Sequence, residues 1–205
     1  DQLRAERRAL PWVKIEQPYV FECRDGQKTL ADLFAGRSQL LVYHFMLVPE
    51  TAHICPGCSL LSDHFDAARQ HFEHADLTMV AISRAKLPWI EQVRRRMGWR
   101  FPWLSSNGNS FNYDFGVTID ESVRPGEYNF RSKAEFEAMG SDFFDYDQPF
   151  EMPGRSCFLQ VDGRLFHTYS QYARGLESTG GSYCFLDLTA LGRQEDWEEP
   201  AGRAP

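Results

Sequence analysis

The chain has 205 residues, 42% of them hydrophobic, 14% aromatic and 25% charged, with a formal net charge of -7. This length is sufficient for one α/β domain, 1–205, with a full core, and the acidic balance gives no electrostatic reason to approach a nucleic-acid backbone. The longest nearly apolar run, Leu40 to Val48, contains His44 and is too short to cross a bilayer, so a membrane role is not expected.

From the amino end, Leu3, Arg7 and Leu10 recur at helical spacing until Pro11, which predicts a charged helical arm over 1–14. Tyr19 to Cys23 alternates like a strand and runs into the turn signal Asp25-Gly26. Thr29 then reads as the cap of a short helix ending at Phe34. Leu40 to Phe45 is a buried strand, and Pro56 to Ala75 is an amphipathic helix with Leu61, Phe65, Ala68 and Phe72 on one face. A second apolar strand, Leu77 to Ser83, precedes a helix over Pro88 to Met97 that Gly98 stops.

Beyond a strand at Phe101 to Leu104 and a loop over 105–110, the pattern supports only a hairpin over 118–130 and a helix over 132–139 capped by Ser132. Residues 140–155 read as a long irregular connection, of the kind that is usually functional. Ser156 to Val161 and Arg164 to Tyr169 flank Asp162-Gly163 as a hairpin, and a helix over 183–191 precedes a polar tail from Asp196.

Chemistry concentrates at Cys55-Pro56-Gly57-Cys58, the start of the long helix. Unpaired backbone N–H groups and the helix dipole favour a thiolate there, which makes Cys55 the expected nucleophile and Cys58, one turn inside, the resolving thiol. Pro56 suits the first helical position because it has no N–H to lose. The same spacing serves half a zinc site, with His71 and His74 as tempting partners. About fifteen helical residues at ~1.5 Å each would hold His71 roughly 20 Å from the cysteines, so no metal is expected. Five cysteines is an odd number in a chain too large to need stapling, and the first residues lack a secretory apolar stretch. A cytoplasmic location is expected, with Cys23, Cys157 and Cys184 as buried small hydrophobes.

Six segments carry a family resemblance: YHFM at 43–46, CPGCS at 55–59, AISRA at 81–85, MGWRFPW at 97–103, FNYDFGV at 111–117 and FHTYSQYARG at 166–175. With them the chain resembles, over nearly its whole length, the thioredoxin-like family catalogued as domain of unknown function 899. The resemblance implies an α/β, thioredoxin-like fold of the peroxiredoxin-like variant: a central mixed sheet flanked by helices, with an inserted aromatic loop region. It also implies dithiol-disulfide oxidoreductase activity. Peroxiredoxins place a Thr three residues before their peroxidatic Cys, whereas here Thr51 is four before Cys55. Similarity to peroxiredoxins also implies an arginine facing the thiolate at Arg155, and similarity to thioredoxins a cis-proline at Pro153.

Further pocket candidates are Gly57 within the motif, Arg84 at the end of a strand, Trp99 and Tyr113 with Trp103 and Phe111 as walls, and Tyr172 and Arg174 after the last strand. His53, two residues before Cys55, is a candidate cation for the thiolate. The expected partners are a disulfide substrate and a thiol reductant, no dissociable cofactor is called for, and a homodimer is left open. Two readings compete with a disulfide oxidoreductase: a thiol peroxidase, and a non-catalytic module binding a small molecule or a partner chain in the same crevice.

Overall fold

The computed structural model of the chain describes residues 2–49, 53–190 and 193. In chain order the elements are α1 (Gln2–Arg8), β1 (Val13–Lys14), β2 (Val20–Cys23), β3 (Gly26–Thr29), β4 (Gln39–His44), α2 (Pro56–His74), β5 (Leu77–Ser83), α3 (Leu87–Met97) and β6 (Trp103–Ser105). Then come α4 (Phe111–Asp114), β7 (Thr118–Ile119), β8 (Glu127–Tyr128), β9 (Arg131–Ser132), α5 (Lys133–Ala138), β10 (Phe150–Glu151), β11 (Gly154–Val161), β12 (Arg164–Tyr172) and α6 (Gly181–Leu186). Short 3-10 helices occupy Asp32–Phe34 and Ala173–Thr179. No helix among the described residues is long and apolar enough to cross a membrane.

Among the described residues, eight strands form one mixed sheet in the order β1-β12-β11-β4-β5-β6-β2-β3. β4, β5 and β6 are parallel, while β11 and β2 join them antiparallel from either side. β4 and β5 are buried on both faces, and their two-residue alternation splits the core into two layers. Tyr43, Phe45, Met79 and Ala81 face Leu61 and Phe65 of α2 and Ile90 and Val93 of α3. Leu40, Val42, Val80 and Ile82 face Phe21, Phe34, Phe111, Phe115 and Phe158. Burying each of the larger side chains contributes roughly 2 kcal/mol, so the β4–α2–β5 unit is anchored from both layers. This α/β layering is the architecture expected from the sequence.

The cap signals behave as expected where they are local. Gly98 ends α3 at φ 73°, with its N–H on the carbonyls of Arg94 and Arg95. Ser132 opens α5 in a reciprocal capping box with Glu135. Asp162 and Gly163, at φ 50° and 71°, close the β11–β12 hairpin.

Other expectations need correction. The amino-terminal helix ends at Arg8 rather than reaching 14, because Val13–Lys14 leaves it to pair with His167 and Phe166. Thr29 ends β3 and still caps the turn that follows, its hydroxyl accepting from Asp32 N–H at 3.3 Å while its own N–H donates to the Asp32 carboxylate at 2.8 Å; what differs is that the helix is a 3-10 turn over Asp32–Phe34. The hairpin expected over 118–130 is absent. Thr118–Ile119 pairs with Phe150–Glu151, and a tighter hairpin joins Glu127–Tyr128 to Arg131–Ser132. The first of these pairings spans the supposedly irregular 140–155 connection, which local patterning cannot reveal. The last helix is earlier and shorter than expected, Gly181–Leu186, and the tail from Asp196 lies outside the described residues.

Candidate active site

Cys55 is the N-cap of α2, and its carbonyl accepts from Ser59 N–H at 3.0 Å. Its sulfur takes the place of a capping oxygen, accepting from Cys58 N–H at 3.3 Å. Pro56 fills the first helical position, as expected. A Cβ at Gly57 would stand 4.0 Å from the Cys55 sulfur, an ordinary contact, so space does not demand glycine there. α2 continues unbroken to His74, which puts Cys55 and His71 at opposite ends of one helix.

The two thiols differ sharply. The Cys58 thiol donates to the Cys55 sulfur, the backbone N–H groups of Cys58 and Gly57 add to it, and His53 contributes a weaker favourable charge. Against the cost of partial burial, these bring the Cys55 thiol down to about 6. Cys58 is 2% exposed, and burial pushes its thiol well up, reinforced by its bond to Cys55. Tyr43 and the Met46 N–H oppose that rise without cancelling it. Polarity at a helix N-terminus therefore separates an ionisable outer sulfur from a protonated inner one.

Two residues stand on the inner side of Cys58. Tyr43, on β4, is fully buried with its ring edge-on to Phe45 and Phe65. Its hydroxyl neighbours the Cys58 sulfur but outside hydrogen-bond geometry, and it has no other partner. Arg155, on β11, pairs in register with Tyr43 and holds its guanidinium carbon 5.2 Å from the Tyr43 ring centre. Its Nη1 donates to Leu176 O at 3.2 Å, and it has no carboxylate partner among the described residues. The charge of Arg155 acts first on Tyr43 and then on the Cys157 and Cys58 thiols. Tyr43 carried no role in the sequence reading; a hydroxyl-bearing ring near the carboxyl end of a buried strand is the signal that marks it.

The remaining candidates divide between core and a second cluster. Trp99 is core: its ring packs with Phe45, Phe101 and Trp103, and its Nε1 donates to Asp63 at 2.7 Å. Arg84 lies over the Tyr113 ring and donates at 2.8 Å to Glu151, which is 4% exposed. Glu151 also accepts from Asn112 at 3.0 Å and Thr118 at 2.9 Å, and burial raises its pKa against these favourable contacts. Arg84 and Tyr113 therefore belong to a buried ionic staple, which the sequence reading did not foresee because Glu151 sits in the segment read as irregular.

Tyr172 is the last residue of β12; it donates to Phe115 O at 2.9 Å and packs against Tyr128 and Phe130. Arg174 is exposed and pairs with Glu177. Pro153 is not the cis-proline expected: the cis peptide among the described residues precedes Pro149, and Pro153 offers its carbonyl to Tyr128 Oη at 3.1 Å. Cys184 is exposed and Cys23 and Cys157 are half-buried, so none of the three is fully buried as expected. Thr51 lies outside the described residues.

Comparison with solved structures places this architecture among peroxiredoxins. A peroxidoxin, BcpB, from Mycobacterium tuberculosis superposes with a TM-score of 0.55 at 12% identity, covering 84% of this chain and 97% of the other. A Cys-to-Ser mutant of Xylella fastidiosa PrxQ gives 0.53 at 11% identity, over 83% and 92%. A Cys-to-Ser mutant of peroxiredoxin 6 from Arenicola marina gives 0.52 at 12%, over 93% and 80%. At such identities the likeness speaks for the peroxiredoxin-like, thioredoxin-like fold alone. No curated protein matches the chain. Residues 1–203 match the family described as bacterial protein of unknown function, DUF899, and the chain belongs to that family.

Proposed function

We propose that the chain is a thiol-disulfide oxidoreductase in which Cys55 is the nucleophile and Cys58 the resolving thiol. The observation that carries this reading is the division of labour between the sulfurs: one capped and held down to about 6 at a helix N-terminus, the other buried and held up. At neutral pH the Cys55 thiolate attacks a substrate disulfide, forming a mixed disulfide and releasing one substrate thiolate, which takes up a proton. Cys58 then loses its proton and attacks the Cys55 sulfur, closing the internal disulfide and releasing the second substrate thiol. Two electrons and two protons pass to the substrate, and an external thiol reductant restores the pair. Tyr43 and Arg155 are positioning residues for the second step, since they neighbour the sulfur on which negative charge must form.

The test is insulin or small-disulfide reduction by dithiothreitol. The intact protein accelerates it, Cys55→Ser returns it to the uncatalysed rate, and Cys58→Ser accumulates a mixed disulfide at Cys55 seen by mass spectrometry. Equal rates for the intact protein and Cys55→Ser would discard the enzyme reading in favour of a binding module.

The peroxiredoxin fold supports a second reading, thiol peroxidase; one of the similar structures, from Xanthomonas campestris, is titled for alkyl peroxide reduction activity. There the Cys55 thiolate would take the terminal peroxide oxygen, becoming a sulfenic acid as the alcohol leaves with a proton, and Cys58 would condense with it to give the disulfide and water. Consumption of cumene hydroperoxide in the same assay separates the two readings.

A further inference from the structure

The layer beneath α2 is not filled throughout. Between that helix and the sheet lies a cavity of about 360 Å³, within the size range of small-molecule sites. Phe65 and Phe72 line it from the helix, and Leu41, Met79 and Cys157 line it from the strands. Strand register gives it a direction. Arg155 and Gln171 stand opposite each other at one end, Cys157, Tyr169 and Leu41 share the next inward level, and Leu77 lies beyond.

Its charge is one-sided. Among the described residues, two arginines line it and no carboxylate does. Arg7 of α1 lies over the Tyr169 ring at 4.8 Å, and Arg155 is 4% exposed. Of the Arg155 guanidinium only Nη1 has a hydrogen-bond partner, Leu176 O, while the buried Nε has none. Neither arginine has a carboxylate partner among the described residues, in a chain whose formal net charge is -7. A guanidinium held out of water without a counter-ion is strongly unfavourable, and an anion entering the cavity would offset that cost. The apolar walls require that the anion carry an apolar body.

We propose that this cavity binds an amphipathic carboxylate, with the carboxylate on the unsatisfied donors of Arg155 and the aliphatic or aryl body against Phe65, Phe72 and Met79. Arg7 and Tyr169 form its rim. A charge-assisted hydrogen bond orients the head, and burial of the body supplies affinity. The site shares Arg155 with the proposed second redox step, but its lining includes neither Cys55 nor Cys58.

The test titrates the full chain with octanoate by calorimetry, using 1-octanol as the neutral counterpart. One octanoate per chain is expected, with octanol at least tenfold weaker and Arg155→Gln at least tenfold weaker for octanoate. Octanoate should also slow the labelling of Cys157 by N-ethylmaleimide, a readout made on the unaltered protein and so independent of how Arg155→Gln folds. Cys55→Ser should bind octanoate with unchanged affinity, so failure of the redox reading leaves this one standing. Absence of saturation, octanol binding as tight as octanoate, or undiminished labelling of Cys157 would overturn it.

Discussion

Cys55 and Cys58 are three residues apart, yet one turn of helix places them in opposite environments. The outer sulfur gathers hydrogen bonds, of which the Cys58 thiol contributes most, and is held down to about 6 from an ordinary 9.0. Alkylation of Cys55 by iodoacetamide is therefore expected to rise with pH through a midpoint near 6. Cys58→Ala removes the strongest donor and should move that midpoint up by about 1 pH unit, the low end of what a hydrogen bond to a charged group contributes, because the sulfur is half open to solvent. Cys58→Ser retains a donor and should move it less. The sign for stability follows from the same depression. The folded value lies below the unfolded one, so the Cys55 contribution is full above about pH 9 and is lost as the pH falls through about 6.

At the scale of elements, the junction between β10 and β11 controls how closely the aromatic insertion approaches the sheet. Gly154 opens β11 opposite His44 on one side and Tyr172 on the other. A Cβ there would meet Val117 Cγ1 at 2.8 Å and Tyr172 Cδ1 at 3.0 Å. Tyr172 is itself tethered to Phe115, so the ring cannot simply swing away. Gly154→Ala should destabilise the protein by about 1–3 kcal/mol, the range for overpacking, seen as a lower urea midpoint with an unchanged slope. This requirement is steric, since the positive-φ glycines of the chain lie elsewhere.

Across the whole molecule, Glu151 ties together segments far apart in sequence: Arg84 after β5, Asn112 in α4 and Thr118 in β7. Removing one member of a buried ionic group leaves the others uncompensated. Glu151→Ala should therefore cost about 3 kcal/mol or more, whereas Glu151→Gln, which keeps an acceptor oxygen, should cost less. Thermal or urea unfolding of the two variants measures the difference. The protonation sign is opposite to that of Cys55. Burial raises the Glu151 pKa above 4.5, so its ionisation opposes stability as the pH rises from the unfolded value through the folded one.

What the sequence determined by itself is what travels over a few residues. The apolar runs of β4 and β5, the amphipathic face of α2, the Gly98 stop, the Ser132 cap and the Asp162-Gly163 turn are all set by local sterics and hydrogen bonding. The motif at Cys55 was legible for the same reason, since its spacing and helix start are one local fact. Tertiary structure alone decided the rest. Tyr43 and Arg155 meet because β4 and β11, some hundred residues apart, pair in one particular register. The Glu151 staple and the short β7–β10 pairing likewise depend on chain segments that carry no periodic signal of their own. Such contacts are selected by packing against an already formed sheet, and no window of sequence contains both partners.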